Sequence, residues 1–271
     1  MKVLDGRELA EFIKERQARQ VRALRQAHGI APKLAIVVTI EHPAIEVYMR
    51  MKTRYGADIL MDVDIHRIAQ SKALETISQL NSDESVHGII VQLPLEDPAQ
   101  TDEIVDAVDP AKDVDALGKN AVYDPATPMA ILWLLAGYNV DLNGKKVVLV
   151  GRGKLVGAPL ERILRSSGVD VEVADRQTAD LTALCLSADI IITATGKPGL
   201  VTAAMIKPGA VVVDAGVAGE QGKTVGDLDP GVYERDDLTI TPTKGGVGPL
   251  TICALFDNVI RAARERVVPD A

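Results

Sequence analysis

Apolar residues along the chain fall into two alternating kinds of run. Continuous apolar runs at 34–40 and 147–150 have the length and continuity of buried strands, and apolar-rich stretches at 88–95, 171–174, 189–194 and 210–213 read as further strands. Between them, apolar residues return every three or four positions, as on the core side of a helix. Leu9, Phe12, Ile13, Val21 and Leu24 mark the buried stripe of a first helix reaching about Gln26. Asp5-Gly6-Arg7-Glu8 ahead of it reads as a capping box, with Asp5 as N-cap and Glu8 at N3. His42-Pro43 opens a helix over about 44–55, a short strand lies near 59–63, and further helices cover about 73–80 and 101–108. Pro128 suits the first turn of a helix through Leu135, and the last two helices span 179–186 and 250–265. Strand alternating with helix predicts an α/β protein with parallel sheets covered on both faces.

The length of 271 residues suits two domains. Lys112-Asp113-Val114-Asp115 leads into turn formers that run to Thr127-Pro128, and the boundary falls there. The expected division is a first α/β domain over 1–121, completed by about 250–271, and a Rossmann-type doubly wound parallel sheet over 122–249. The last helix packs back on the first domain in this arrangement, which makes that domain discontinuous.

Composition narrows the function. A net charge of −8 argues against nucleic acid, whose phosphates need a basic face. No apolar run reaches the length of a membrane span, and the first residues carry no apolar signal segment. Two cysteines in unrelated segments and few histidines point to a reducing cytoplasm and to no protein-bound metal.

The densest motif is Val147-Val-Leu-Val-Gly151-Arg152-Gly153-Lys-Leu-Val-Gly157. A buried strand runs into three glycines and then into a helix with Leu160, Ile163 and Leu164 on one face. Such a turn lets backbone approach a pyrophosphate at a helix N-terminus. Its spacing is one residue longer than the best-known dinucleotide fingerprint, so an ordinary tight turn is the competing reading. Tyr48 and Lys52 are four apart and share a helix face; a lysine aimed into a cleft loses solvation and its pKa falls. Taken alone, these two are equally a packed tyrosine beside a solvated lysine.

Several separated segments together resemble the bifunctional methylenetetrahydrofolate dehydrogenase/methenyltetrahydrofolate cyclohydrolase family. They are Tyr48-Met-Arg-Met-Lys52, Gly88-Ile-Ile-Val-Gln-Leu-Pro-Leu95, Lys112-Asp-Val-Asp115, Thr127-Pro128, Gly151-Arg152 with Val156-Gly157, Gly196-Lys-Pro198 and Gly245-Gly-Val-Gly-Pro-Leu-Thr251, in the family's order. The resemblance implies oxidation of 5,10-methylenetetrahydrofolate with NADP, hydrolysis of the methenyl product to 10-formyltetrahydrofolate, and a homodimer. It assigns catalysis to Lys52, with Tyr48 against the folate ring, Gln92 hydrogen-bonded to Lys52, and Asp115 accepting from the pterin. Val91, Leu93, Gly245, Gly246, Gly248 and Pro249 would line the folate site, in a cleft between the domains. The cofactor would meet Gly151, Arg152, Gly153, Gly157, Asp175, Arg176, Thr195, Gly196, Val217 and Thr251.

The chain also departs from the family's pattern. Gly153 replaces a common serine, Ile45 another serine, Ala126 a cysteine, Ala130 a glycine and Lys244 a proline, and the loop from Asp115 to Thr127 is short. Asp175-Arg176 stands where His-Ser is frequent. Aspartate there favours NAD and arginine favours NADP; Arg152 and Arg176 against Asp175 tilt the reading to NADP, with NAD as the alternative. Two other readings are another two-domain NAD(P)-dependent dehydrogenase, of the shikimate or amino-acid type, and a catalytically silent dinucleotide sensor.

Overall fold

The computed structural model describes residues 1–220 and 223–267. In chain order the elements are β1 (Lys2–Val3), α1 (Gly6–His28), β2 (Lys33–Val38), α2 (Pro43–Asp58), β3 (Asp62–Arg67), α3 (Ala73–Ser82), β4 (Gly88–Val91) and α4 (Thr101–Asp106). They continue with α5 (Ala126–Gly137), β5 (Lys146–Val150), α6 (Gly157–Ser166), β6 (Asp170–Ala174), α7 (Leu181–Ser187), β7 (Ile190–Thr193), β8 (Val211–Asp214), β9 (Ala218–Glu220), β10 (Lys223–Val225), β11 (Thr239–Ile240) and α8 (Val247–Glu265). Two compact units result: Met1–Ala10 with Thr127–Thr251, and Glu11–Ala126 with the chain from Ile252 onward. The first ten residues, expected with the catalytic domain, thus cluster with the other unit, because β1 pairs with β11 there. Residues 268–271, the end of the expected completing segment, lie outside the described residues.

The first unit holds a six-stranded sheet of order β1-β11-β8-β7-β5-β6, every neighbouring pair parallel. Val147, Val148 and Leu149 of β5 and Ile191 and Ile192 of β7 are fully buried, as unbroken aliphatic runs demand. Strand order reverses at β5, which has β6 on one side and β7 on the other. The crevice beyond the carboxyl end of such a strand is where open α/β sheets bind ligands, and Gly151 follows β5 at that point.

The second unit holds a three-stranded parallel sheet, β3-β2-β4. Ala35, Val37, Ile89 and Val91 pack with Ala73, Ile77 and Leu80 of α3 and Ile104 and Val105 of α4 in one buried cluster. The segment after α4 adds a parallel bridge from Asp113 to Ile89, which lays Lys112-Asp113-Val114-Asp115 along the open edge of β4.

Several boundaries differ from the hydrophobic pattern. β3 begins at Asp62, because the apolar Ile59 and Met61 are buried in the turn closing α2, both donating to Gly56 O. Phe12 is 65% exposed, and the buried side of α1 is Ala10, Ile13, Gln17, Val21 and Leu24. The capping box gives way to a simple cap: Asp5 Oδ1 accepts from Arg7 N, the N2 position, at 2.8 Å, and Asp5 N donates to Tyr138 Oη in place of Glu8. α8 starts at Val247, three residues early, with Gly248 and Pro249 in its first turn, a position proline tolerates.

Candidate active site

Lys52 projects from α2, and its Nζ donates to Gln92 Oε1 at 2.9 Å. Gln92 follows β4, where its backbone N–H continues the ladder to Val37 O and its Nε2 donates to Leu93 O at 2.8 Å. That second bond fixes which way the amide points: the oxygen faces the lysine. Among the described residues Gln92 is the only hydrogen-bond partner of Lys52 Nζ, so two of its three donors remain uncommitted. Burial lowers the Lys52 pKa, partly opposed by the negative charge of Asp115. Tyr48, one turn earlier on the same helix, is 45% exposed.

Asp115 is placed by its neighbours. Lys112 is buried, and its Nζ donates to Leu80 O, Asn81 O and Asp83 O at 2.7–2.8 Å, closing the C-terminal end of α3 with a cation. Asp113, also buried, accepts from Gly118 N at 2.8 Å and so holds the turn that follows. Asn258 of α8 donates to Val114 O at 2.9 Å and to Asp124 O at 3.0 Å. Asp115 itself is half-buried, and its carboxylate has no hydrogen-bond partner among the described residues. Burial raises its pKa and the Lys52 charge pulls it back down. A partly dehydrated carboxylate without a partner is an acceptor waiting for donors. Sequence reasoning missed Asn258, and its signal was no more than a polar residue in an apolar helix.

In the other unit, the three glycines of the turn after β5 do different work. Gly151 has φ +107°, and a Cβ there would lie 2.6 Å from Ala194 O. A Cβ on Gly157 would lie 2.1 Å from Gly151 O. Nothing lies within 4 Å of the corresponding point on Gly153, which faces open space. The turn therefore brings bare backbone to the start of α6, the cradle that a pyrophosphate fits. Gly151 also adjoins Thr195, and the Gly196 Cβ position lies 3.2 Å from Val217 O, so these four predicted positions meet at the carboxyl ends of β5, β7 and β8. Arg152 Nε donates to Glu161 Oε2 at 2.7 Å, and Arg165 holds the other oxygen of that carboxylate. Asp175 Oδ1 accepts from Gln177 N at 2.8 Å, while Arg176 beside it is exposed.

The segment Gly245–Pro249 packs on the start of the chain. Gly6 N donates to Gly245 O, and a Cβ on Gly6 would lie only 1.7 Å from Gly246 O. Gly245, at φ +92°, lies against the Arg7 guanidinium. Sequence reasoning treated Gly6 as part of a cap and missed this approach. Thr251 Oγ1 lies 3.5 Å from Thr127 Oγ1, which joins two of the motif's threonines.

Two family models describe nearly all of the chain. The catalytic domain of tetrahydrofolate dehydrogenase/cyclohydrolase matches residues 4–115, and its NAD(P)-binding domain matches residues 125–267. The chain belongs to the tetrahydrofolate dehydrogenase/cyclohydrolase family. A relative from Moorella thermoacetica named bifunctional protein FolD is 39% identical over 97% of this chain and 99% of its own. The crystal structure of the bifunctional enzyme FolD from Campylobacter jejuni superposes with a TM-score of 0.92 at 35% identity, covering 98% of this chain and all of that one. The FolD of Trypanosoma brucei, solved with NADP cofactor and an inhibitor, has a TM-score of 0.91 at 29% identity over 98% of both chains.

Three of this chain's departures from the family pattern fall in packed positions. Ile45, Ala126 and Ala130 are buried. Lys244 is exposed. No group of three or more metal-ligating side chains occurs among the described residues, and none of their helices is long and apolar enough to cross a membrane.

Proposed function

We propose that this chain oxidises 5,10-methylenetetrahydrofolate to the methenyl cation with NADP and hydrolyses that cation to 10-formyltetrahydrofolate. The observation that carries the reading is the pairing of a dehydrated lysine, held by one amide oxygen, with a half-buried carboxylate that has no hydrogen-bond partner among the described residues. Asp115 accepts hydrogen bonds from the pterin's amino and ring N–H groups, a bidentate task for a carboxylate. Tyr48 lays its ring against the folate, with Val91 and Leu93 beside Gln92 and the backbone of Gly245, Gly246, Gly248 and Pro249 along the substrate. Lys52 serves as the proton carrier. Its lowered pKa puts more of the neutral amine within reach at neutral pH, so Nζ takes a proton as water adds and returns it as the ring opens. Gln92 keeps the lone pair of that amine aimed at the substrate.

The bound nicotinamide supplies a hydride acceptor. Gly151, Gly153 and Gly157 hold its pyrophosphate at the N-terminus of α6, and Thr195, Gly196, Val217 and Thr251 line its other half. NADP is favoured over NAD because Arg176, exposed at the end of β6, offers a cation to a 2′-phosphate. The domains are read as a folate unit, completed by the last helix, and a dinucleotide unit. The protein is read as a cytoplasmic homodimer, on family membership and on two cysteines that are buried in separate segments. Light scattering on the purified chain tests the dimer.

Initial rates with methylenetetrahydrofolate and either NADP or NAD test the activity. NADP is expected to give the higher kcat/KM, with loss of methenyl absorbance as hydrolysis follows. Absence of turnover with both cofactors overturns the reading.

A further inference from the structure

The loops after β7 and β8 are tied together by two carboxylates that the proposed chemistry does not use. Asp227 is fully buried; its Oδ2 accepts from Thr195 N at 2.7 Å and its Oδ1 from Lys197 N at 2.8 Å. These two donors flank Gly196, whose φ is +66°. Asp214, at the end of β8, accepts through Oδ1 from Thr193 Oγ1 at 3.0 Å, Gly216 N at 2.9 Å and Asp227 N at 3.1 Å, and through Oδ2 from Leu228 N at 3.2 Å. The packing is reciprocal. A Cβ on Gly216 would lie 2.2 Å from Asp227 Cγ, and a Cβ on Gly226 would lie 2.0 Å from Asp214 Oδ2.

A carboxylate aimed at a dinucleotide's phosphates would repel them. Here both oxygens of Asp227 point inward at backbone N–H groups, so the charge orders the loop instead of facing the ligand. We propose that Asp227 is a positioning residue of the cofactor site. It holds the Thr195–Lys197 backbone in its ligand-ready form, and Asp214 braces both Asp227 and the Gly216–Val217 edge. This rests on the reading of Thr195, Gly196 and Val217 as cofactor-binding.

Asp227→Asn separates this role from general stability. The amide keeps one acceptor but turns an NH2 toward one of two N–H donors, so one bond is lost and a repulsion replaces it. Assayed well below its Tm, the full-length variant is expected to show a KM for NADP raised about tenfold or more, with kcat at saturating NADP nearly unchanged. Cyclohydrolysis of methenyltetrahydrofolate, which consumes no cofactor, serves as the internal control and should hold. A folded variant with an unchanged KM for NADP, or one in which both activities fall equally, overturns the proposal. Amide hydrogen exchange on the wild-type protein without NADP covers a variant that fails to fold: slow exchange at Thr195 and Lys197 supports the clamp, and fast exchange at both overturns it. If the wild type neither binds nor uses NADP, the cofactor reading fails, and the exchange result still judges the clamp.

Discussion

Lys52 and Lys112 lie in the same unit, and burial lowers the pKa of both. Their surroundings differ in a different respect. Lys112 gives all three of its N–H groups to the carbonyls that end α3, and Arg266 caps nearby by donating to Glu84 O and Val86 O. Lys52 gives one N–H to Gln92 and faces an unpartnered carboxylate. Dehydration by itself does not mark a reactive lysine. Uncommitted hydrogen-bond capacity does, because a group whose donors are all satisfied by fixed acceptors has nothing to offer a substrate.

Exchanging each lysine for methionine is the strongest way to break this comparison. Lys52→Met is expected to lower cyclohydrolase turnover about a thousandfold or more, read by the decay of methenyl absorbance. Its stability should hold. The folded pKa of Lys52 lies below its ordinary 10.5, so protonating it opposes folding at neutral pH, and the stability that burial withholds is regained as pH rises from the lowered pKa to 10.5. Removing the charge should therefore leave Tm within about 3 °C of wild type. A large fall in Tm would make Lys52 a structural residue like Lys112.

Lys112→Met should do the reverse. Three bonds to carbonyls disappear and the Leu80 acceptor is left buried, a loss of about 3 kcal/mol, which at this size lowers Tm by roughly 6–12 °C. Activity per folded molecule should stay within a few-fold, and a catalytic loss at unchanged Tm would erase the distinction between the two lysines.

Gln92→Leu removes the acceptor that Lys52 has among the described residues while leaving its charge. Turnover should fall about tenfold to a hundredfold, with a smaller change in folate KM; an unchanged pH–rate profile would show that the amide does not steer the amine.

The smallest effect belongs to His87, which precedes β4 and lines a cavity of about 760 Å³ with Lys33, Lys112 and Arg266. Burial, with the charges of Arg266 and Lys112, lowers its pKa from 6.5 to about 4. Below pH 6.5 the unfolded chain takes up a proton that the folded one refuses, so stability falls as pH drops toward 4. Between pH 6.5 and 5 the loss is on the order of 1 kcal/mol, reduced because the cavity admits water. His87→Gln should flatten that limb of the Tm–pH curve, and an unchanged limb would assign it to other groups.

The sequence displayed some of this and concealed the rest for physical reasons. β5, β7 and the glycine turn were legible because unbroken aliphatic runs and glycines report directly on backbone. β1 and β11 have two residues each, too few for any period to register. Phe12 fits the helical stripe by spacing yet stands exposed, since period does not say where the stripe meets its neighbour. Lys52 and Lys112 are indistinguishable as letters. Only the resemblance separated them, and what separates them physically is which distant acceptors each one meets: the carbonyls ending α3, about thirty positions before Lys112, or a single amide oxygen forty positions beyond Lys52. Asn258 and the Gly6 approach to Gly246 depend on segments more than a hundred positions apart, which local pattern cannot register.

The interlocked Asp214, Gly216, Gly226 and Asp227 bear on how this domain can be recombined. Each acid fills the space left by a missing side chain beside the other, so neither glycine can take a Cβ while the acid facing it stands. A chimera that imports the loop after β8 from another Rossmann domain must therefore import residues 214–228 whole. A crossover placed inside that stretch would join a side chain to an occupied space. For gene shuffling, the stretch is one indivisible cassette, although it runs from the end of β8 past the paired β9 and β10.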